Sequence, residues 1–315
     1  MDVQASVDKV KAEVSKAIVG EGAEVDQILA AVLADGHVLL EGVPGLGKTL
    51  LVRSVALALG LPFSRIQFTP DLMPSDVTGT EVFDQRSVEF KMRKGPVFTS
   101  VLLADEINRT PPKTQSSLLE AMEERHVTIN GERHRLPSPF IVFATQNPIE
   151  FEGTYPLPEA QQDRFLMKVR LQYQSAEVEK GMLRRFHAGF RAQKLEGAGL
   201  QPVLDAETLS QLRAAVDQIV VEDKIIDYIY DLVAATRKHP DIWVGGSPRA
   251  GLGLLSCGKA IAAIRGRDFV IPDDVKELAV PVLRHRVLLR PEAEIEGLGA
   301  DQVLAGLLEN QVVPR

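Results

Sequence analysis

The chain has 315 residues, of which 45% are apolar and 25% are charged, and its formal net charge is −7. These values are ordinary for a globular protein and exclude a disordered, collagen-like or coiled-coil chain. A chain of this length usually folds as about two domains. The acidic balance disfavours a surface that binds nucleic acid over the whole molecule, although a local basic pore or groove stays compatible with it.

Cysteine content and the amino terminus indicate the compartment. The single cysteine, Cys257, cannot form an internal disulfide, which is typical of a reduced, cytoplasmic protein. The first residues have neither the basic cap nor the apolar centre of a secretory signal. No run of about 18 apolar residues occurs, so no membrane span is predicted.

The predicted elements begin with helices and then alternate. Apolar residues at spacings of three and four predict helices over residues 3–18 and 25–33, and a further helix is predicted over 48–59. Short apolar runs predict strands at residues 37–41, 64–68, 97–104, 140–145 and 165–171, with a helix at 113–125. This alternation indicates an α/β fold with a parallel sheet that helices cover on both faces.

The strand pattern stops near residue 174. Beyond it the periodicity predicts helices at residues 177–190, 205–221, 224–238, 248–264, 272–284 and 303–308, with a loop at 193–202. We therefore predict an α/β core at residues 1–174 and a smaller all-α domain at residues 175–315.

Residues 42–49, GVPGLGKT, fit the pattern G-x-x-x-x-G-K-[ST] between a predicted strand and a predicted helix. The glycines allow a tight turn whose N–H groups point at phosphate oxygens, and the next helix directs the positive end of its dipole to the same anion. Lys48 supplies a cation for the β- and γ-phosphates, and Thr49 supplies a hydroxyl for Mg²⁺. The predicted binding positions are Gly42, Pro44, Gly45, Leu46, Gly47, Lys48, Thr49 and Leu50. The alternative is an ordinary left-handed turn between a strand and a helix.

Polar residues also end two other predicted strands. Asp105 is placed to hold Mg²⁺ and Glu106 to polarise the water that attacks a γ-phosphate, because ligands of open α/β sheets bind at the carboxyl ends of strands. Alternatively, both carboxylates only end the strand at the surface. Asn147 either orients the same water or forms a turn before Pro148, and local sequence favours neither.

Together these motifs resemble an AAA+ ATPase, and the match is close to the MoxR family. The matching segments follow the family's order over about 230 residues: 18–21 (IVGE), 42–49, 67–71 (QFTPD), 74–79 (PSDVTG), 105–109 (DEINR), 145–150 (TQNPIE), 163–165 (DRF) and 247–249 (SPR). The resemblance implies an AAA+ core followed by a helical lid. It also implies ATP and Mg²⁺, bound at the subunit interfaces of a ring that is usually a hexamer.

The resemblance also implies roles for single residues. Arg164 matches the arginine finger that reaches the γ-phosphate of the neighbouring subunit, and its alternative is a surface ion pair with Asp163. Asn147 matches the first sensor, and Arg249 matches the second sensor at the start of a lid helix. Val19 and Gly20 belong to the segment that packs against adenine.

Two insertions resemble those of one branch of these ATPases. Residues 80–94 resemble the insert in the second helix, and residues 127–135 resemble the hairpin before the first sensor. Asn130-Gly131 is a strong signal for a two-residue turn. In related ATPases such insertions line the pore or touch the substrate. The alternative is two solvated hairpins with no contact role.

The function implied by the resemblance is ATP hydrolysis coupled to chaperone-like remodelling or maturation of protein complexes. The expected partners are a protein client and a protein with a von Willebrand factor A domain. A metal-insertion motor like the magnesium chelatase subunit and a nucleic-acid helicase or loader stay open as alternatives. A small-molecule kinase is disfavoured by the helical domain that carries residues 247–249. We expect no nucleic-acid partner, and the histidines show no metal-ligand spacing.

Overall fold

The structure is a computed structural model that describes residues 2–20, 22–148, 153–191, 195 and 199–314. Its helices are α1 (Val3–Ser15), α2 (Ala23–Leu33), α3 (Lys48–Ala58), α4 (Pro74–Thr78), α5 (Pro112–Glu124), α6 (Glu159–Gln162), α7 (Ala176–His187), α8 (Ala206–Asp217), α9 (Asp223–Lys238), α10 (Pro248–Ile264), α11 (Pro272–Leu283), α12 (Pro291–Ile295) and α13 (Ala300–Asn310). Its strands are β1 (Val38–Glu41), β2 (Phe63–Gln67), β3 (Gly79–Asp84), β4 (Glu89–Lys94), β5 (Val101–Asp105), β6 (His126–Ile129), β7 (Glu132–Arg135), β8 (Ile141–Gln146), β9 (Met167–Arg170), β10 (Ile242–Val244) and β11 (Leu288–Leu289). Glu21, Glu150 and part of the loop predicted at 193–202 lie outside the described residues.

Five strands form one parallel sheet in the order β2-β5-β8-β1-β9. The predicted α/β class with a parallel sheet is therefore confirmed. Among the strands of this sheet, the predicted bounds differ most at β5, which begins at Val101 and not at Val97, because residues 96–100 form a turn and a bend. None of the described helices is long and apolar enough to cross a membrane.

The sheet separates two apolar layers because successive side chains of a strand point to opposite faces. Val38 and Leu40 of β1 belong to a cluster with α1, α2 and α3, whereas Leu39 packs on the other face with α5. The first cluster continues into α8, α9, α10, α11 and α13. The division after residue 174 stays a prediction: β9 ends at Arg170 and α7 begins at Ala176, yet both parts share this core.

The carboxy-terminal part is helical, and it also contains one short antiparallel pair, β10 with β11. The expectation of helices only after residue 174 is wrong at these two segments. Strands of two and three residues are too short for an alternating pattern to reveal.

Two antiparallel hairpins, β3–β4 and β6–β7, occupy the places of the two predicted insertions. Asn130 and Gly131 have φ of +48° and +87°, as the predicted two-residue turn requires. The Asn130 side chain donates to Glu81 Oε2 at 2.7 Å and links the hairpins. Phe83 and Phe90 stand opposite each other, 5.3 Å between ring centroids, and are 47% and 69% exposed.

Candidate active site

The carboxyl ends of three adjacent strands bring the predicted phosphate and acidic residues together. β1 leads into loop 42–47, β5 ends at Asp105, and β8 is followed by Asn147. These ends border a cavity of about 890 Å³. Among the predicted residues, its lining includes Pro44, Gly45, Gly47, Lys48, Thr49, Leu50, Asp105, Glu106 and Asn147.

The loop has the backbone geometry that a polyphosphate needs. Gly45 and Gly47 have φ of +90° and +79°, in the region that favours glycine. Helix α3 begins at Lys48 after Gly47, which has no side chain to cap it, so the amino end of the helix faces an anion site such as a phosphate needs. Lys48 Nζ donates to the carbonyls of Gly42 and of Val43, the latter at 3.2 Å, which keeps the ammonium over the loop. The residues present therefore fit a bound nucleoside triphosphate.

A smaller apolar cavity adjoins the same loop. Val19 and Gly20 line it together with Leu46, Leu50 and Met182. Such a lining suits the flat face of a base, which is where the family resemblance places adenine.

Asp105 is buried, with 7% of its surface exposed, and both of its carboxylate oxygens have partners. The Thr145 hydroxyl donates to Oδ1 at 2.6 Å, and Arg65 donates to Oδ2 through Nε at 3.0 Å and Nη2 at 2.7 Å. The guanidinium thus supplies the positive charge that a buried carboxylate requires.

Glu106 is held by its backbone and by one carboxylate oxygen. Its φ of +56° is unusual outside glycine, and such strain is common at functional sites. Its N–H donates to Thr145 Oγ1 at 2.8 Å. Oε2 accepts from Gln67 Nε2 at 2.8 Å and from Arg109 Nη1 at 3.1 Å. Both side-chain donors use the same oxygen, so the orientation of the carboxylate is defined.

Sequence reasoning missed Arg65 and Gln67 as single site residues. Gln67 is the register partner of Asp105 on the neighbouring strand, and Arg65 points to the same face two residues earlier. The sequence signal that could have found them is the alternation of polar side chains along a strand that neighbours the strand ending in Asp105.

Arg164 and Arg249 lie elsewhere in the protomer. They line a second cavity of about 320 Å³ that shares no lining residue with the first. His37 and Leu166, which directly precede β1 and β9, also line it, so it lies at the amino edge of the sheet. The structure therefore places the predicted finger and second sensor at the edge opposite loop 42–49.

Within this second cavity the arginines have defined partners. Arg164 Nη1 lies 2.6 Å from Glu123 Oε2 and donates to the Leu119 carbonyl at 2.8 Å. Arg249 Nη2 donates to Glu123 Oε1 at 3.0 Å. Asp163 Oδ1 accepts from Arg286 Nε at 2.7 Å. The structure thus has these pairs in place of the ion pair between Arg164 and Asp163 that the sequence left open.

Two buried side chains near this site are uncharged. Burial, followed by the positive charge of Arg125, lowers the pKa of His37 to about 3. Its Nδ1 accepts from the Val142 N–H at 3.0 Å, and Nε2 donates to the Met122 carbonyl at 3.2 Å. Burial raises the pKa of Cys257 to about 12, so it stays a thiol. Among the described residues, no group of three or more His, Cys, Asp or Glu side chains is arranged to hold a metal ion.

Comparisons with known proteins concern the family of the chain. A family model described as the ATPase family associated with various cellular activities (AAA) matches residues 37–167, and an AAA lid domain model matches residues 234–306. The two matches follow the order of an AAA core and an AAA lid along the chain.

Individual relatives narrow the family. Chaperone MoxR1 of Mycobacterium tuberculosis is 44% identical over 96% of this chain and 81% of its own. Uncharacterized protein YeaC of Bacillus subtilis is 45% identical over 99% of this chain and 96% of its own. A crystal structure of a candidate ATPase from Cytophaga hutchinsonii is similar with a TM-score of 0.91 at 41% identity, over 99% of this chain and 96% of that one. The chain belongs to the MoxR family of AAA+ ATPases, which confirms the predicted resemblance.

Proposed function

We propose that this protein hydrolyses ATP to ADP and phosphate between adjacent copies of itself, in a ring that is most simply a hexamer. The observation that carries the proposal is the placement of the phosphate loop and of Arg164 and Arg249 at opposite edges of one sheet. The phosphate loop and the two arginines of one copy cannot contact the same nucleotide. In two copies in head-to-tail contact, the loop of one copy and the arginines of the other can. Head-to-tail contacts close into rings when the rotation between copies allows it.

In this proposal each copy holds ATP at the carboxyl edge of its sheet. The N–H groups of residues 42–49 and the Lys48 ammonium bind the phosphates, and residues 19–20 contact adenine. Thr49 and Asp105 hold Mg²⁺, which supplies charge neutralisation for phosphoryl transfer.

Glu106 and Asn147 act on the attacking water. Among the described residues, the side-chain donors Gln67 and Arg109 both bind Glu106 Oε2, which leaves Oε1 to accept a hydrogen bond from that water and to polarise it. Asn147 lines the same cavity and orients the water from the other side. Arg164 and Arg249 of the adjacent copy neutralise the charge that spreads over the γ-phosphoryl group.

We further propose that hydrolysis drives the remodelling or maturation of protein complexes. The name of the Mycobacterium tuberculosis relative, a chaperone, supports this role. The exposed pair Phe83 and Phe90 supports contact between the first hairpin and a protein client, because exposed apolar patches mark interaction sites. The partner with a von Willebrand factor A domain and the division into a core (residues 1–174) and a lid (residues 175–315) rest on the family resemblance.

Two variants test the ATPase proposal. Glu106→Gln should bind ATP as tightly as the parent while steady-state hydrolysis falls about 100-fold or more, since the general base is lost. Arg164→Ala should also lose hydrolysis, but its own phosphate site stays intact. Mixed rings should therefore regain activity wherever a Glu106→Gln copy donates Arg164 to an Arg164→Ala copy. The matched control, Arg86→Ala on the exposed hairpin turn, should leave turnover unchanged.

Two results would contradict the proposal. Unchanged turnover in Glu106→Gln removes Glu106 from the reaction. Mixed rings that form, as shown by native mass spectrometry, yet recover no hydrolysis at any ratio remove Arg164 from the neighbouring site.

A further inference from the structure

One carboxylate contacts both of the arginines that face the neighbouring copy in the proposed ring. Glu123 lies in the last turn of α5, and its two oxygens serve different partners. Oε2 is 2.6 Å from Arg164 Nη1, and Oε1 accepts from Arg249 Nη2 at 3.0 Å. Arg164 follows α6, whereas Arg249 lies in the first turn of α10. Glu123 therefore joins side chains from two segments that are far apart in the sequence.

The carboxylate also sets the spacing of the two cations. Two guanidinium groups in one cavity of about 320 Å³ repel each other unless anions lie beside them. Asp163 Oδ2 lies 3.9 Å from Arg249 Nη1, whereas Glu123 contacts both arginines. Glu123 offsets this repulsion and keeps Arg164 and Arg249 within the width of one carboxylate. Two guanidinium groups held this close together can both donate to the oxygens of one phosphoryl group.

The contacts with Glu123 occupy one edge of each guanidinium. Arg164 uses Nη1 for Glu123 and for the Leu119 carbonyl, and Arg249 uses Nη2 for Glu123. A guanidinium carries five N–H donors, so both arginines keep donors for an external anion, even though Arg249 Nη1 also lies 3.9 Å from Asp163 Oδ2. The side chains of Arg164 and Arg249 are partly exposed, which allows such an anion to reach them.

From this geometry we infer that Glu123 is a positioning residue for hydrolysis in the adjacent copy. It holds Arg164 and Arg249 side by side while their outer N–H groups bind the phosphate oxygens of the neighbour's ATP. Helix α5 starts three residues after Arg109, which contacts Glu106, so one rigid helix joins the copy's own acidic site to the arginines it donates. The inference rests on the proposed function, because the arginines need a neighbouring nucleotide to act on.

The test uses Glu123→Ala and Glu123→Gln, with Glu124→Gln as the matched control at the adjacent exposed position. Glu123→Ala should lower kcat about 10- to 100-fold, the effect expected when a catalytic group is misplaced. Binding of a non-hydrolysable ATP analogue should change much less than kcat, since loop 42–49 of the same copy, distant from Glu123, supplies most contacts with the nucleotide. Glu123→Gln should also lose kcat, because the amide offers an acceptor to one arginine and an N–H to the other. Glu124→Gln should keep kcat within 2-fold.

Mixed rings separate a positioning role from a merely structural one. Adding Glu106→Gln copies, which are inactive themselves, should raise hydrolysis by Glu123→Ala copies, because the added copies donate correctly held arginines. A structural defect within the Glu123→Ala copy would not be repaired in this way. The same mixing with Arg164→Ala copies runs in parallel as the reference.

The outcomes are distinct. Full kcat in Glu123→Ala overturns the inference. So does a loss that Glu106→Gln copies leave unrepaired while they repair Arg164→Ala. If Arg164→Ala itself is not repaired although mixed rings form, the proposed function fails and the inference falls with it.

Discussion

Arg286 holds the segment that carries Arg164, and its replacement should destabilise the protein strongly. The side chain is only 4% exposed. It donates from Nε to Asp163 Oδ1 at 2.7 Å, from Nη1 to the Leu166 carbonyl at 2.8 Å, and from Nη2 to the Phe165 carbonyl at 2.7 Å. One side chain beyond the end of α11 therefore binds backbone and carboxylate groups next to Arg164.

The size of the effect follows from what Arg286→Met leaves behind. Methionine keeps an apolar stem of similar length but no donor, so Asp163 loses its closest cation. Removing one partner of a buried ion pair costs about 3–5 kcal/mol. The Phe165 carbonyl keeps a donor, His285 Nε2 at 3.0 Å, whereas the Leu166 carbonyl is left to find another. The Asp163 side chain is 18% exposed, so water offsets part of the loss, and we expect about 3–5 kcal/mol in total.

Urea unfolding followed by circular dichroism measures this loss. The control is Lys224→Ala, which breaks an exposed pair with Glu222 and should cost about 1 kcal/mol or less. Arg286→Lys should fall between the two, because an ammonium still pairs with Asp163 but lacks the planar fork that reaches the carbonyls. A loss in Arg286→Met no larger than that of the control would refute the reasoning.

Two further predictions concern His37 and Arg65. The pKa of His37 is about 3 in the folded protein, below its value in the unfolded chain. As pH falls through about 6.5, the imidazole therefore binds a proton in the unfolded chain first. The folded state loses up to about 4–5 kcal/mol of stability by pH 3 for this reason. In His37→Asn the slope of urea midpoints between pH 6.5 and 4 should therefore be shallower than in the parent, and an equal slope would exclude His37 as a source of acid sensitivity. Arg65→Gln should tighten Mg²⁺ binding in the presence of a non-hydrolysable ATP analogue about 3- to 10-fold by calorimetry, because the guanidinium competes for Asp105. Unchanged or weaker Mg²⁺ binding would show that it does not compete.

The nucleotide site was predictable because its residues follow strands whose topology is simple to infer. Once strands alternate with helices, a parallel sheet follows, and all its carboxyl ends meet at one edge. Loop 42–49, Asp105 and Asn147 each follow a predicted strand, so their common cavity needed no further information. The hairpin at Asn130 was predictable for a local reason, because its turn depends only on Asn130 and Gly131.

The residues that hold the site in place could not be predicted in this way. Glu123 lies between Glu120 and Glu124 on one helix, and nothing in the periodicity distinguishes it from them. Its importance comes from two arginines that are distant in sequence. Arg286 is likewise one of several basic residues after α11, and only its burial against residues 163–166 separates it from the others.

The position of Arg249 shows that a sequence motif predicts the local structure around a residue better than it predicts where that residue lies in the fold. The segment 247–249 correctly marks the start of a helix, yet packing decides which edge of the sheet that helix approaches. α10 packs against α1 and α2, and α11 packs beside β9, so Arg249 lies next to Arg164 and away from Lys48. In the proposed ring both arginines then belong to the neighbour's nucleotide. Arg249 lies in the lid, and Arg286, beyond α11, binds the segment that carries Arg164. Through these two residues the lid of one copy would therefore respond to the ATP of the next copy more directly than to its own.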